Sequence, residues 1–170
     1  LFSVLLLRTF VLTAYNDTGT YQLIYDSIPE YKVISTNEKT DWAAKWIWDK
    51  DNLTEKNVWM CFNKKINIDK VPEELTAHIS ADSKYWLYIN GEAVVYEGSV
   101  KRGPQKNSGY YDSIDIAPYL KKGENSICAL VWYWDNETSY SYSSSGQGGF
   151  LFEAIGEGVT IISDNSWKVK

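Results

Sequence analysis

From residue 42 onward the chain alternates between short runs of β-branched and aromatic residues and short clusters of turn formers. The runs occupy residues 58–68, 75–81, 85–89, 93–96, 110–116, 126–134, 149–154 and 159–162, each of strand length. Between them stand Val71-Pro72, Asn90-Gly91, Arg102-Gly103-Pro104, Lys122-Gly123-Glu124-Asn125 and the glycines at 156 and 158. Asn90-Gly91 fits a two-residue type I′ hairpin turn, because both residue types tolerate positive φ and the flanks alternate. Helical signal is confined to one turn at residues 117–120, behind Asp115. Many short strands at this spacing predict an all-β fold, a jelly-roll β-sandwich.

Two runs predict their own placement. In "SICALVWYW", residues 126–134, Ile127, Ala129, Val131 and Tyr133 alternate with Cys128, Leu130, Trp132 and Trp134. Both sets are apolar, which predicts a central strand covered on both faces. In "YWLYI" the core-type residues Leu87 and Ile89 turn Trp86 and Tyr88 outward. Residues 15–40, in contrast, are polar and lack sustained periodicity, and read as an extended leader with one short strand at 21–25. The opening "LFSVLLLRTFVLTA" reads either as the remnant of a secretory signal or as a stray amphipathic segment. As a signal remnant it implies a periplasmic or secreted protein. It is too short and too broken by Arg8 for a membrane span. The expected organisation is a leader over residues 1–41 and a sandwich domain over residues 42–170.

Composition narrows the possible partners. The 170 residues suffice for one domain with a real core, and the net charge of -5 supplies no positive field for nucleic acid or anionic membranes. Neutral or polar ligands stay open. Aromatic residues reach 15%, with eight Trp and thirteen Tyr, and these rings call for a surface role as well as a core one. Two cysteines are too few for a disulfide framework or a zinc site. Alternation places Cys61 with Trp59 and Asn63, opposite Met60, Phe62, Ile66 and Ile68, and nothing in the pattern pairs it with Cys128. Buried or half-buried free thiols are the expectation. No contiguous Asp-rich loop marks a calcium site, and no cofactor is expected.

Catalytic chemistry finds little footing. The single histidine, His78, shares a strand face with Thr76 and Ser80, and a structural role is expected of it. Glycoside hydrolysis needs only two carboxylates, about 5 to 9.5 Å apart. Asp135 with Glu137, Asp112 with Asp115, and Glu73 with Glu74 meet that spacing only as any acidic β protein would. The aromatics discriminate better. Outward rings beside the Tyr- and Ser-rich segment 135–148 form either a stacking platform for sugar C–H faces or a surface that packs against an adjoining domain.

Five stretches in this order carry a resemblance: "AKWIW", "WLYINGEAVVYEG", "RGPQKNSGYYDSIDIAPYLKKGENSICALVWYW", "GGFLFEA" and "SDNSWKVK". Together they resemble the N-terminal β-sandwich region of bacterial α-L-rhamnosidases, with "YYDSIDIAPYLKKGEN" the most specific part. The resemblance implies a jelly-roll, galactose-binding-like sandwich whose further strands follow Lys170. It implies a noncatalytic module, with hydrolysis performed by a downstream (α/α)-barrel of the same polypeptide, so no catalytic residue transfers here. The expected role is to brace that domain and to hold rhamnose-containing plant or bacterial glycan. For glycan contact the candidates are Arg102, hydrogen-bonding hydroxyls, and Tyr110, Trp134, Tyr140 and Tyr142, stacking on sugar rings. A stand-alone carbohydrate-binding module, and a sandwich from another glycoside hydrolase such as the β-galactosidase group, are the alternatives. Trp132-Tyr133-Trp134 departs from relatives, which often carry a histidine-containing segment there, and the leader before Trp42 matches nothing in them.

Overall fold

A computed structural model of the chain describes residues 41–51, 54–99, 111–134 and 147–170. Among the described residues nine strands follow one another: β1 Val58–Ile68, β2 Thr76–Asp82, β3 Lys84–Ile89, β4 Glu92–Ser99, β5 Asp112–Asp115, β6 Gly123–Tyr133, β7 Gly149–Gly156, β8 Val159–Ile162 and β9 Lys168–Val169. They form two antiparallel sheets, one of five strands in the order β4-β3-β6-β1-β9 and one of four in the order β5-β2-β7-β8. The chain crosses repeatedly from one sheet to the other, which is the jelly-roll β-sandwich expected from the sequence.

Alternation decides what lies between the sheets. Ile127, Ala129, Val131 and Tyr133 of β6 are fully enclosed, and Ala77, Ile79 and Ala81 of β2 face them from the other sheet. Phe62 stacks on Phe150 with ring centroids 5.2 Å apart, and Trp167 closes on both Phe150 and Phe152. Central placement of β6 between β3 and β1 agrees with its two apolar faces. Lys64 interrupts the inward apolar series of β1, yet its stem runs under the sheet while its Nζ reaches Asp164 at 3.3 Å and the Ile162 carbonyl.

Local chemistry explains the turns. Asn90 and Gly91 have φ of 54° and 86°, with Ile89 opposite Glu92, so the hairpin closes through two left-handed residues. The Asn90 side chain then ties this turn to the next signature. Its Nδ2 donates to Asn125 Oδ1 at 2.8 Å and to the Tyr119 carbonyl, while its Oδ1 accepts from Ser126 N. Asn125 is fully buried and donates in turn to the Lys121 and Gly123 carbonyls. The helical turn expected at residues 117–120 is a 3-10 turn, Ala117–Tyr119, whose Ala117 N–H donates to Asp115 Oδ1.

The structure moves several boundaries. β6 begins at Gly123, because that residue turns the chain with φ of 91° and already pairs with Ile68. β4 runs on to Ser99 through an irregular register against β3, with Glu97 at φ of 65°. β9 is unforeseen in the sequence, since two exposed residues beside β1 leave no pattern to read. Residues 43–47 are tied to β7, since Ala43 and Ala44 donate to Glu153 Oε2 and Ile47 pairs with Phe150 beyond the end of β8. No helix among the described residues is long and apolar enough to cross a membrane.

Candidate functional site: an indole array on the five-stranded sheet

The outward positions of β1, β3 and β6 bring together residues far apart in the chain. Register sets Trp59 opposite Trp132 and Trp86 opposite Leu130. The Trp59 and Trp132 rings lie 4.8 Å apart and within 6° of parallel; Trp59 and Trp86 are 5.4 Å apart at 27°. Trp134 meets Trp132 edge-on at 5.3 Å. These offset and edge contacts suit the ring quadrupoles and hold the indoles in fixed positions. Trp132 Nε1 donates to Asn57 Oδ1 at 2.9 Å. Trp59 nevertheless stays 47% exposed, so the array ends in accessible apolar surface.

Charge enters at one edge. Lys84 Nζ sits 5.1 Å from the centroid of the Trp134 ring and pairs with Glu97. Trp134 is fixed through its backbone as well, its N–H donating to Ser83 Oγ at 3.1 Å. Further along the face, below Trp59 and Trp86, come Cys61, Leu130, Cys128 and Tyr88. The far end is polar, where Asn63 Nδ2 donates to Ser126 Oγ and Lys65 pairs with Glu124.

Of the residues expected to hold a glycan, Trp134 lies at the described edge of this array. Arg102, Tyr110, Tyr140 and Tyr142 fall outside the described residues. Trp86 points outward as expected, stacked on Trp59. Tyr88 points outward too, but it is only 1% exposed, packed with Cys128, Cys61 and Ala93, so it offers no ring to a ligand. Trp59 and Trp132 were not singled out from the sequence. The signal was there in "VWMC" and "VWYW", but only the strand register joins them.

The two cysteines lie closer together than alternation along single strands conveys. Both are free, as expected, but the two sulfurs lie 3.4 Å apart. Sequence alternation carried no hint of pairing because it says nothing about register between strands. The buried Cys128 thiol is pushed well up, by its hydrogen bond to Cys61 and by burial. The same hydrogen bond holds the Cys61 thiol below the ordinary cysteine range.

Two of the carboxylates named above, Asp112 and Asp115, anchor the fold. Asp112 Oδ2 accepts from the buried Tyr85 hydroxyl at 2.7 Å, and Asp115 Oδ1 accepts from Leu75 N and Ala117 N. Glu74 meets the Thr76 hydroxyl at the surface, while Asp135 and Glu137 fall outside the described residues. His78 Nδ1 lies 2.9 Å from Ser113 Oγ, with Trp42 and Tyr111 edge-on around its ring. Among the described residues no group of three or more His, Cys, Asp or Glu is placed to hold a metal ion.

Similarity to known structures points one way. The chain superposes on a GH78 family rhamnosidase of Bacillus sp. GL1 with TM-score 0.67 and 32% identity, over 78% of this chain and 14% of that one. The described domain is a β-sandwich related to those of GH78 rhamnosidases. The α-L-rhamnosidase from Dictyoglomus thermophilum shares the fold at TM-score 0.60 and 22% identity, over 76% of this chain and 17% of that one. The α-L-rhamnosidase of Streptomyces avermitilis shares it at 0.56 and 18%, over 75% and 12%. The rhamnosidase-related chain thus spans less than a fifth of the enzymes it matches. No protein-family model matches the sequence, and a search of characterised proteins finds no significant match.

Proposed function

We propose that this sandwich is the noncatalytic N-terminal module of an α-L-rhamnosidase-like glycoside hydrolase, exported to the periplasm or the medium, where it braces the catalytic domain of the same polypeptide. The observation that carries the reading is the 32% identity to a rhamnosidase of which the matched region is only 14%. A module of that share leaves room for the catalytic machinery elsewhere in the parent chain. The indole array supports a bracing role, since fixed aromatic surface is what domain contacts favour. The test is to read the coding sequence beyond Lys170 and express the longer chain with and without residues 42–170. An aryl α-L-rhamnoside should be hydrolysed by the longer chain and not by the 170 residues alone. Turnover by these residues alone would overturn the noncatalytic reading, and a downstream frame with no helical domain would overturn the bracing role.

Glycan retention is a second reading, favoured by the way the strand ends converge. Ser99 pairs with Lys84, which also pairs with Trp132, while Gly149 pairs with Asp82. The Tyr85 to Asp112 hydrogen bond joins the two sheets at this same end. The described residues Ser99, Tyr111, Trp134 and Gln147 flank the segments that carry Arg102, Tyr110, Tyr140 and Tyr142. In this reading those last four residues and Trp134 contact a rhamnose-containing glycan. Calorimetric titration with rhamnosyl oligosaccharides should show binding that Trp134→Ala abolishes while the fold persists; no heat of binding at millimolar sugar would sink it.

A further inference from the structure

We propose that Cys61 and Cys128 form a redox-active dithiol that closes, by exchange with a small-molecule disulfide such as oxidised glutathione, into a disulfide joining β1 to β6 beneath the indole array. The geometry comes from the register. Cys61 stands opposite Leu130, and Cys128 opposite Asn63, so the two are diagonal neighbours on the same outer face. Cys61 spends its backbone N–H and C=O on Lys170, away from β6. Toward β6 it therefore occupies a non-hydrogen-bonded position opposite Leu130, with Cys128 two residues along and within diagonal reach. The sulfurs already touch at 3.4 Å, so reaching a bond of about 2.05 Å needs a movement of roughly 1.3 Å.

Access divides the labour. Cys61 is half-buried and reachable, while Cys128 is 5% exposed beneath Trp86, Tyr88 and Ala93. The Cys61 thiolate attacks one sulfur of the oxidised glutathione; a Cys61–glutathione disulfide forms, the glutathione S–S bond breaks, and one glutathione thiolate leaves and takes up a proton. Cys128 then gives its proton to solvent and attacks Cys61 Sγ, displacing the second glutathione thiolate, which is protonated in turn. Two protein thiols lose two electrons and one disulfide becomes two thiols. The lowered thiol of Cys61 and the raised one of Cys128 fit the roles of attacking and resolving sulfur.

The test uses the reduced full chain incubated with oxidised glutathione. Expected are the loss of both titratable thiols, no retained glutathione, and a peptide linking Cys61 to Cys128 in a non-reducing digest read by mass spectrometry. Cys128→Ser should stop at one stable glutathionyl group on Cys61, and Cys61→Ser should stay unmodified over the same time, with far-UV circular dichroism confirming that both fold. The wild-type digest decides the matter even if a variant fails to fold. Retained glutathione on wild-type Cys61, two unreacted thiols, or disulfides only between chains would overturn the proposal.

Discussion

Asn125→Ala should be among the most damaging single substitutions in this domain, although it removes no apolar packing. The Asn125 side chain is fully buried and makes four hydrogen bonds: it accepts from Asn90 Nδ2 and Lys121 N, both at 2.8 Å, and donates to the Lys121 and Gly123 carbonyls at 2.6 and 2.9 Å. At about 1 kcal/mol net per bond, loss of all four approaches 4 kcal/mol. Lys121 is exposed, so water can reach its backbone groups and trims the cost to roughly 3 kcal/mol. That is a large part of the roughly 5 to 15 kcal/mol by which such domains are stable. Urea unfolding followed by tryptophan fluorescence should show a lower midpoint at unchanged slope. Asn90→Ala and the double variant complete a cycle for the 2.8 Å bond, with an expected coupling of about 1 kcal/mol. A cost below about 1 kcal/mol for Asn125→Ala at unchanged slope would refute the reasoning, because the network would then be ornamental.

Gly98→Ala should lower the urea midpoint by the equivalent of about 2 kcal/mol, as expected of overpacking. Its Cβ would fall 2.3 Å from the Tyr85 ring, which is fully buried and tethered to Asp112, so an unchanged midpoint would contradict the packing described here. Trp59→Ala should cost only about 1 kcal/mol, because the ring is 47% exposed and stacking contributes modestly. It should also remove the far-UV circular dichroism couplet expected of the stacked Trp59 and Trp132 indoles, and survival of that couplet would argue against their contact. Alkylation of Cys61 should rise at lower pH than for an ordinary cysteine, since its thiolate forms more readily beside the Cys128 S–H. Cys128→Ala removes that donor and should move the profile back up in pH; rate profiles with iodoacetamide check both.

Strand positions were legible because period-two alternation is local: β1 occupies residues 58–68 as read, and β6, with both sets of alternate residues apolar, lies between β3 and β1 as a central strand. The Asn90-Gly91 turn was legible for the same reason. What alternation cannot supply is register between strands, and the outer face depends on register throughout. It decides that Trp59 meets Trp132 and that Cys61 meets Cys128, neither of which a single strand announces. Tyr88 shows the same limit in burial: its outward direction was correct, but packing with Cys128 and Ala93 removes it from the surface. Asn90-Gly91 and Lys122-Gly123-Glu124-Asn125 were read as separate turns, and the structure joins them through a hydrogen bond between Asn90 and Asn125.

The two outer faces of the sandwich are covered in different ways, and the difference bears on the proposed bracing role. On the four-stranded sheet, Glu153 and Leu151 of β7 face outward yet are buried. Residues 41–44 account for much of this, through Ala43 and Ala44 on Glu153 and through Trp42 against His78 and Tyr111. That cover is partial, since Trp46 beside Gly149 and Ile155 further along β7 stay 56% and 54% exposed. On the five-stranded sheet, among the described residues, the covering of β1, β3 and β6 is made by their own side chains, and it ends in Trp59 at 47% exposure. Indoles held by one another, by Asn57 and by Lys84 lose little side-chain freedom when a second surface meets them. An apolar surface that is already ordered favours association over solvent exposure, which makes the indole face one candidate for the proposed bracing contact.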